Sequence, residues 1–373
     1  MIDHKIKVLF LVGNLRPANG VTSFAMTYFR NINHDKIKID FALLNDVKTP
    51  YYKEILDAGS KIFILPSIKQ INKHLKKCEQ ILEENNYDII HDNLLISSIP
   101  MMFTAYKDKV PVRILQSHNT ELSSVKWKEK RNRILLPLLK GLSNAYFACG
   151  KDAGKAMFGK SHFKVIPNAI SFTNSFFDNQ VREHIREKYN CKDKIIIGTV
   201  GRLSLQKNPF FAIKVIKHLV EKNSNIQYWW IGSGELDKQV QAYIDDNHLN
   251  KYIKLFGSRN DVSSLYQAMD VFFLPSLFEG LPITAIEAQA SGLPCVISDS
   301  VTKELVYTNL VKFLSLKEST TAWENGLIKQ SNRKINREKY QNSLMKSPFY
   351  SPNAATRLSN YYRELIKGFF RER

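Results

Sequence analysis

The sequence lacks any long hydrophobic run. Its apolar stretches all fall short of the roughly 18 residues that a helix needs to cross a bilayer. The apolar run 8–12 is too short for the hydrophobic region of a signal peptide, and no small-residue cleavage site follows it. We therefore expect a cytoplasmic protein.

Cysteine and paired aspartates are also scarce. The four cysteines are far apart and form no Cys-x-x-Cys pair, which excludes a disulfide framework or a cysteine metal cluster and favours reduced, packed thiols. No two aspartates are separated by a single residue. The chain therefore lacks an Asp-x-Asp element that would hold a divalent ion on a diphosphate, and we expect no metal site.

Acidic residues are few compared with basic ones. The chain has 35 Asp and Glu against 54 Lys and Arg, a formal net charge of +19. Such a surplus favours anionic partners, which include nucleic acid, anionic lipid and phosphorylated small molecules. A lysine-rich composition spread over solvated faces explains the charge equally well, so the charge alone selects no function.

Length and composition indicate two globular α/β domains. With 373 residues and 44% apolar content, the chain is too long for one ordinary core. Short β-branched runs alternate with helical patterns, and the alternation restarts after residue 190, which predicts two parallel sheets with crossover helices. The predicted strands are 7–12, 38–44, 61–65, 88–91, 112–117, 144–149 and 164–166, then 195–200, 226–231, 252–256, 271–274 and 294–298.

A polar stretch at 171–175, followed by a charged helix, marks the predicted break between the domains. We expect Rossmann-like domains at 1–175 and 176–350, facing each other across a cleft. The helical segment after residue 350 has no strand behind it and is expected to pack across the domain junction. Ligands of open α/β sheets bind beyond the carboxyl ends of the strands.

Two glutamates stand around a strand-to-helix turn in the second domain. Residues 276–288 read Ser-Leu-Phe-Glu-Gly-Leu-Pro-Ile-Thr-Ala-Ile-Glu-Ala, which puts Glu279 in the loop and Glu287 on the helix. Free N–H groups at Gly280 and Leu281 suit a phosphate, while two carboxylates suit two hydroxyl-bearing parts of one ligand. The alternative is a helix-start acid and a solvated acid without a ligand.

A basic loop follows the first strand of the second domain. Residues 198–209 read Gly-Thr-Val-Gly-Arg-Leu-Ser-Leu-Gln-Lys-Asn-Pro. The guanidinium of Arg202 offers a planar fork to phosphate oxygens, and Lys207 adds a mobile point charge. In a chain without an Asp-x-Asp element, two such cations suit the stabilisation of a departing diphosphate. The alternative is an ordinary basic loop on a basic protein.

Both segments resemble the retaining glycosyltransferases of family 4, which have the two-domain GT-B fold. The stretch 270–296 is similar to their Glu-x7-Glu motif, and 201–207 to their Gly-Arg…Lys arrangement. The resemblance implies that Glu279 binds the hydroxyls of the donor sugar and Glu287 those of the ribose. It implies that Arg202 and Lys207 bind the donor pyrophosphate.

The same resemblance extends to three further places. Asn19-Gly20 stands where family members often have two glycines near the donor, and His118 matches a family histidine beside the reacting sugar. The resemblance assigns His118 the positioning of that sugar. The loops 231–235 and 256–259, the latter with Arg259, are similar to family loops around the nucleotide base.

The resemblance implies a metal-independent hexosyltransferase of capsule or exopolysaccharide biosynthesis. Its co-substrate is expected to be a nucleotide sugar, most often a UDP-sugar, with no other cofactor, and its acceptor a saccharide or a lipid-linked oligosaccharide. A nucleotide-sugar epimerase on the same scaffold is an alternative. A basic nucleic-acid-binding protein is another, but no aromatic platform or basic recognition helix is evident, and we expect no nucleic-acid partner.

The segment 125–141 combines six basic residues, one acid, a tryptophan and a cluster of Leu and Ile. Basic and aromatic residues beside an apolar stripe attract anionic headgroups, which predicts peripheral membrane contact. The alternative is that Ile134, Leu135, Leu138 and Leu139 pack into the core of their own domain.

Overall fold

The computed structural model describes residues 5–17, 19–123, 125–170 and 176–371. The predicted break at 171–175 lies outside the described residues. The chain divides into two compact units, one of Met1–Ala169 with Ser351–Arg373 and one of Ile170–Tyr350. The first boundary therefore lies earlier than the predicted residue 175, and the carboxyl-terminal segment belongs to the first unit.

The first unit is built on a parallel sheet of seven strands in the order β3-β2-β1-β4-β5-β6-β7. Its elements are β1 (Ile6–Val12), α1 (Gly20–Asn31), β2 (Ile37–Leu43), α2 (Pro50–Asp57), β3 (Ile62–Ile64), α3 (Ile71–Asn85), β4 (Ile89–Asp92), α4 (Ile99–Lys107), β5 (Val112–Ser117), α5 (Lys126–Leu142), β6 (Ala145–Ala148), α6 (Lys151–Phe158), β7 (Lys164–Val165) and, at the end of the chain, α14 (Ser351–Arg371).

The central strands of this sheet are largely buried because both faces are covered. In β1 every residue except Lys7 is buried. Helix α14 packs its buried face, including Leu358 and Tyr362, into the same core. The Tyr362 hydroxyl lies 2.6 Å from Nδ1 of the buried His91 on β4, whose Nε2 lies 2.7 Å from Gln116 on β5. A polar contact thus joins the last helix to the centre of the first sheet.

The second unit has a six-stranded parallel sheet in the order β10-β9-β8-β11-β12-β13. Its elements are α7 (Asn179–Lys188), β8 (Ile195–Val200), α8 (Pro209–Lys222), β9 (Ile226–Ile231), α9 (Asp237–Asp246), β10 (Ile253–Leu255), α10 (Val262–Ala268), β11 (Val271–Leu274), α11 (Ile283–Ala290), β12 (Cys295–Ser298), β13 (Val311–Leu314), α12 (Thr320–Ser331) and α13 (Gln341–Lys346).

The predicted two Rossmann-like units are confirmed, with one strand and one helix start missed. Strand β13 lies at the sheet edge and is only partly buried, so its sequence carries no strong apolar run. The apolar spacing of the sequence predicts a helix over 134–143, but helix α5 already begins at Lys126, and it continues through Pro137. The first half of α5 is dominated by charged residues, which hid its helical periodicity.

The four cysteines are buried thiols, as predicted. Within the described ranges, no helix combines the length and the apolar character that crossing a bilayer requires.

Candidate functional site

The loops of the predicted donor site meet at the centre of the second sheet. Strands β8 and β11 are parallel neighbours, and the strand order reverses between them. In an open α/β sheet, such a switch point leaves a crevice at the carboxyl ends of the strands. The loops that follow the two strands are joined there, because the Leu277 amide donates to the Gln206 carbonyl at 2.8 Å and the Asn208 side chain to the Pro275 carbonyl at 3.2 Å.

An ion pair between two predicted site residues lies at this edge. The Lys207 ammonium is 2.6 Å from Oε1 of Glu279, with side chains 13% and 9% exposed. The amide of Gln206 donates to the Phe278 carbonyl at 3.0 Å and to Oε2 of Glu279 at 3.3 Å. Both carboxylate oxygens of Glu279 are therefore held by the loop after β8.

The turn between Glu279 and α11 has the predicted strand-to-helix form. Gly280 and Leu281 are buried in this turn, and Pro282 immediately precedes the helix, which begins at Ile283. Glu279 also forms an isolated parallel bridge with Val301, which follows β12. The turn is therefore fixed from both neighbouring loops.

Arg202 is more exposed than the Lys207–Glu279 pair. Its side chain is 63% exposed and its Nε lies 3.7 Å from the Glu235 carboxylate. The backbone beneath it is tightly packed: a Cβ on Gly232, where φ is +130°, would stand 2.2 Å from the Gly201 carbonyl oxygen, and a Cβ on Gly234 2.2 Å from that of Leu203. These two glycines let the loops after β8 and β9 touch and leave the guanidinium available to solvent.

Glu287 lies on α11 and is partly buried beside tyrosines. The Tyr266 hydroxyl lies 3.1 Å from Oε2 of Glu287 and 3.1 Å from the Thr284 carbonyl oxygen, so both acceptors are within reach of its hydrogen. Burial raises the pKa of Glu287 to about 7, and the Tyr266 hydrogen bond opposes that rise. Because its pKa is about 7, the Glu287 side chain is mostly ionised only above neutral pH, where it best accepts hydrogen bonds from hydroxyls.

The loops after β9 and β10 border a cavity of about 490 Å³ whose lining includes Gly232, Ser233 and Gly257. Their backbones are joined, because the Gly232 amide donates to the Gly257 carbonyl at 2.8 Å. Arg259 on the second loop forms a two-point contact with Asp261, at 2.7 and 2.6 Å. That contact raises the pKa of Arg259. It also engages two N–H donors of the guanidinium, Nε and one terminal nitrogen.

In the first unit, Asn19 and Gly20 start helix α1. The Asn19 side chain accepts from the amides of Val21 and Thr22 at 3.0 and 3.3 Å, which makes it the N-cap. Gly20 is exposed, and a Cβ built on it would meet no atom within 4 Å. The asparagine therefore supplies a cap at the position where family members often have a glycine.

His118 lies just beyond the carboxyl end of β5. Its Nε2 is 2.8 Å from Oδ1 of Asn93, which follows β4. Its ring meets Phe24 of α1 edge-on, with the centroids 4.8 Å apart. Burial, and next the nearby His91, lower the pKa of His118 to about 3, so the ring is neutral at physiological pH.

Helix α5 exposes an apolar stripe on the first unit. Trp127, Ile134 and Leu138 are 61%, 78% and 52% exposed, and with Arg131 they follow the spacing i, i+4, i+7 and i+11 of one helix face. Arg131 stands 5.4 Å over the Trp127 ring. Leu139 is buried, as the core alternative requires, but Ile134 and Leu138 do not pack into the domain.

The structure adds three residues to the predicted site. Gln206 holds Glu279, Tyr266 holds Glu287 and Asn93 holds His118. Gln206 stands in the basic loop beside Lys207, so its position was visible in the sequence. Tyr266 and Asn93 lie on other elements than their partners. No local sequence pattern predicts that they contact these partners.

Comparison with known proteins identifies the family to which the chain belongs. Residues 181–363 match the family described as glycosyl transferases group 1. The chain is 31% identical to the putative glycosyltransferase EpsF of Bacillus subtilis over 82% of each chain. It is 28% identical to the UDP-Gal:alpha-D-GlcNAc-diphosphoundecaprenol alpha-1,3-galactosyltransferase of Escherichia coli, over 76% of this chain and 78% of the relative.

The fold has close structural counterparts. A crystal structure of Anabaena Alr3699/HepE in complex with UDP and glucose superposes with a TM-score of 0.81 at 16% identity, over 96% of this chain and all of the other. A structure of WaaG, a glycosyltransferase involved in lipopolysaccharide biosynthesis, superposes with a TM-score of 0.72 at 13% identity, over 95% and 99%. The fold is that of the GT-B glycosyltransferases, and the chain belongs to the glycosyl transferases of group 1.

Proposed function

We propose that this glycosyltransferase moves a hexose from a UDP-sugar to a saccharide hydroxyl, with retention of the anomeric configuration as in family 4. The observation that carries the proposal is the contact between Lys207 and Glu279 at the switch point of the second sheet. Lys207, whose ammonium suits phosphate, and Glu279, whose carboxylate suits hydroxyls, are in contact there. In a sugar diphosphate the phosphate and the sugar are likewise bonded to each other, so one such ligand can contact both residues.

The second unit offers a group for each part of such a donor. Lys207 and Arg202 provide positive charge for the diphosphate, and Glu279 accepts hydrogen bonds from the sugar. Glu287 accepts hydrogen bonds from the ribose, and the cavity beside Gly232 and Gly257 receives the base. The UDP complexes of Alr3699/HepE, which has the same fold, support a nucleotide in this role.

Bond cleavage leaves negative charge on the diphosphate. Lys207, Arg202 and the N–H groups near Gly280 and Leu281 stabilise that charge, so the reaction proceeds without a divalent ion. No side chain of the site is assigned as a nucleophile. The leaving phosphate accepts the proton of the incoming hydroxyl.

The acceptor is a lipid-linked or growing polysaccharide at the inner face of the cell membrane. Two observations support it: the relatives named for polysaccharide biosynthesis, such as CapH of Staphylococcus aureus, and the stripe on α5. The exposed Trp127, Ile134 and Leu138, flanked by lysines and arginines, suit an anionic lipid surface.

Neither alternative function has support of this kind. An epimerase requires additional acid and base groups around the sugar, and it forms product without an acceptor. A nucleic-acid-binding protein shows a salt-dependent gel shift. Family membership favours neither of the two.

A donor screen tests the proposal. We expect UDP-sugars to raise the melting temperature of the full chain by mass action, because a hundredfold excess over Kd stabilises the folded state by about 2.7 kcal/mol. Transfer to an acceptor, followed by mass spectrometry, should fall at least about a hundredfold in Glu279→Gln or Arg202→Ala and persist in EDTA. The exposed Glu318→Gln is the matched control. Turnover of Glu279→Gln close to wild type, with the fold intact, contradicts the proposal.

A further inference from the structure

The side chain of Asn93 has a fixed orientation. It is 6% exposed, its backbone amide donates to the Leu11 carbonyl at 3.1 Å, and its Nδ2 donates to the His91 carbonyl at 3.2 Å. Turning the amide over would place its oxygen against that carbonyl oxygen. The Asn93 oxygen therefore faces His118.

This orientation decides which nitrogen of His118 carries the proton. Oδ1 of Asn93 only accepts hydrogen bonds, and it lies 2.8 Å from Nε2 of His118. Nε2 must then be the donor, and in a neutral imidazole the other nitrogen, Nδ1, is an acceptor. Within the described part of the chain, Nδ1 makes no hydrogen bond.

The ring is also held in place. The Phe24 ring packs against it in a T-shaped arrangement with the centroids 4.8 Å apart, and His118 directly follows strand β5. The titratable groups on the neighbouring strand are His91 and Asp92. His91 is engaged by Tyr362 and Gln116, and Asp92 by the Ser98 hydroxyl at 2.5 Å.

We propose that Asn93 is a positioning residue that holds His118 as the Nε2–H tautomer, so that Nδ1 accepts a hydrogen bond from a saccharide hydroxyl. The sugar contact rests on the proposed function, whereas the tautomer does not. A ring in this state cannot donate a proton from Nδ1 to that hydroxyl. Because Nδ1 only accepts hydrogen bonds, the ring binds a hydroxyl oxygen, which carries a hydrogen, and not a carbonyl or phosphate oxygen without one.

Nuclear magnetic resonance of ring-15N-histidine protein tests the tautomer directly. We expect one of the nine histidines to show a neutral Nε2–H pattern that is constant from pH 6 to 8 and is lost in His118→Gln. An Nδ1–H pattern, an imidazolium or an even mixture at that residue overturns the proposal.

Substitution of Asn93 tests the consequence for the sugar, with UDP-glucose and UDP-galactose as probes. In Asn93→Ala the ring is free to exchange tautomers, and kcat/KM should fall roughly tenfold, the scale of one hydrogen bond. In Asn93→Asp the carboxylate raises the pKa of His118, so the ring takes up a proton at Nδ1. Turnover should then be low at pH 6 and recover as the pH rises. The exposed Asn33→Asp, in the same unit, should keep the wild-type profile.

The results separate the two proposals. Transfer by a chain whose His118 shows the Nδ1–H form contradicts the inference alone. No transfer from any UDP-sugar, with the Nε2–H form present, contradicts the proposed function and supports the tautomer. Unchanged kinetics in Asn93→Ala, with the tautomers mixed, overturn the sugar contact.

Discussion

The ammonium of Lys207 lies 2.6 Å from a carboxylate oxygen of Glu279, and the two side chains are 13% and 9% exposed. Each charge is thus the partner of the other, with Gln206 on the second carboxylate oxygen. A donor that binds Lys207 through phosphate and Glu279 through hydroxyls replaces this contact with two new ones. The pair keeps both groups in place and neutralised before the donor binds.

Breaking the pair on one side should destabilise the second unit. Lys207→Met leaves Glu279 as a nearly buried charge without its cation, at a cost of about 3–5 kcal/mol. The double variant Lys207→Met/Glu279→Gln removes both charges and should recover most of that stability while staying inactive. Urea denaturation measures both. Equal destabilisation of the single and double variants would contradict the prediction, and the exposed Lys312→Met serves as control.

Nucleotide binding should strengthen as the pH rises through 7. The pKa of Glu287 is raised to about 7, and only its ionised form accepts hydrogen bonds from two ribose hydroxyls. UDP affinity, measured by calorimetry, should therefore rise up to about tenfold between pH 6 and 8. Glu287→Gln should bind UDP more weakly and without this dependence. An equally steep rise in Glu287→Gln would assign the effect to another group.

The same carboxyl group should affect stability with the opposite trend. Its pKa in the folded chain is above the ordinary value of 4.5, so the folded state holds the proton more tightly than the unfolded state. Stability is therefore lost as the pH rises from about 4.5 to 7. Relative to the wild type, Glu287→Gln should gain stability over that range, and Tyr266→Phe should extend the loss to higher pH.

The sheets were predictable because their strands are buried on both faces. Runs such as Ile195-Ile196-Ile197 and 8–12 are apolar without alternation, which is typical of strands in a covered parallel sheet. Strand β13 was missed because an edge strand alternates with exposed residues such as Lys312. The start of α5 was missed because the residues before Ile134 are mostly charged and carry no apolar period.

The site was predictable where its groups are near each other in sequence or at equivalent strand ends. Parallel strands place their carboxyl ends at one edge, which brought the loop of Lys207 to that of Glu279. The side chains that orient these groups were not predictable. Tyr266 reaches Glu287 from another helix, and Asn93 meets His118 only because β4 and β5 are neighbours.

Arg337 should be essential for the stability of the second unit. Its guanidinium donates to the carbonyls of Tyr266, Gln267, Met269 and Ser291 at 2.9–3.1 Å, and it thereby caps the carboxyl end of α10. Lysine has three donors on a flexible stem and cannot span these carbonyls. Arg337→Lys should cost about 2–4 kcal/mol in urea denaturation, whereas Arg333→Lys, with its two bonds to Asn309 and Gln330, should cost under about 1 kcal/mol. Equal costs would contradict this role.

The stripe on α5 should determine membrane binding. Ile134 and Leu138 face solvent at 78% and 52% exposure, so their replacement by serine removes apolar surface without opening the core. In co-sedimentation with phosphatidylglycerol vesicles, Ile134→Ser/Leu138→Ser should weaken binding at least about fivefold.

Charge reversal provides the second arm of that experiment. Each lysine near an anionic surface contributes about 1 kcal/mol, so changing Lys126, Lys128 and Lys130 to Glu should abolish binding and its dependence on salt. Leu56→Ser, at an equally exposed leucine of the same unit, should bind like the wild type. If neither set of changes reduces binding to these vesicles, α5 is not the membrane contact.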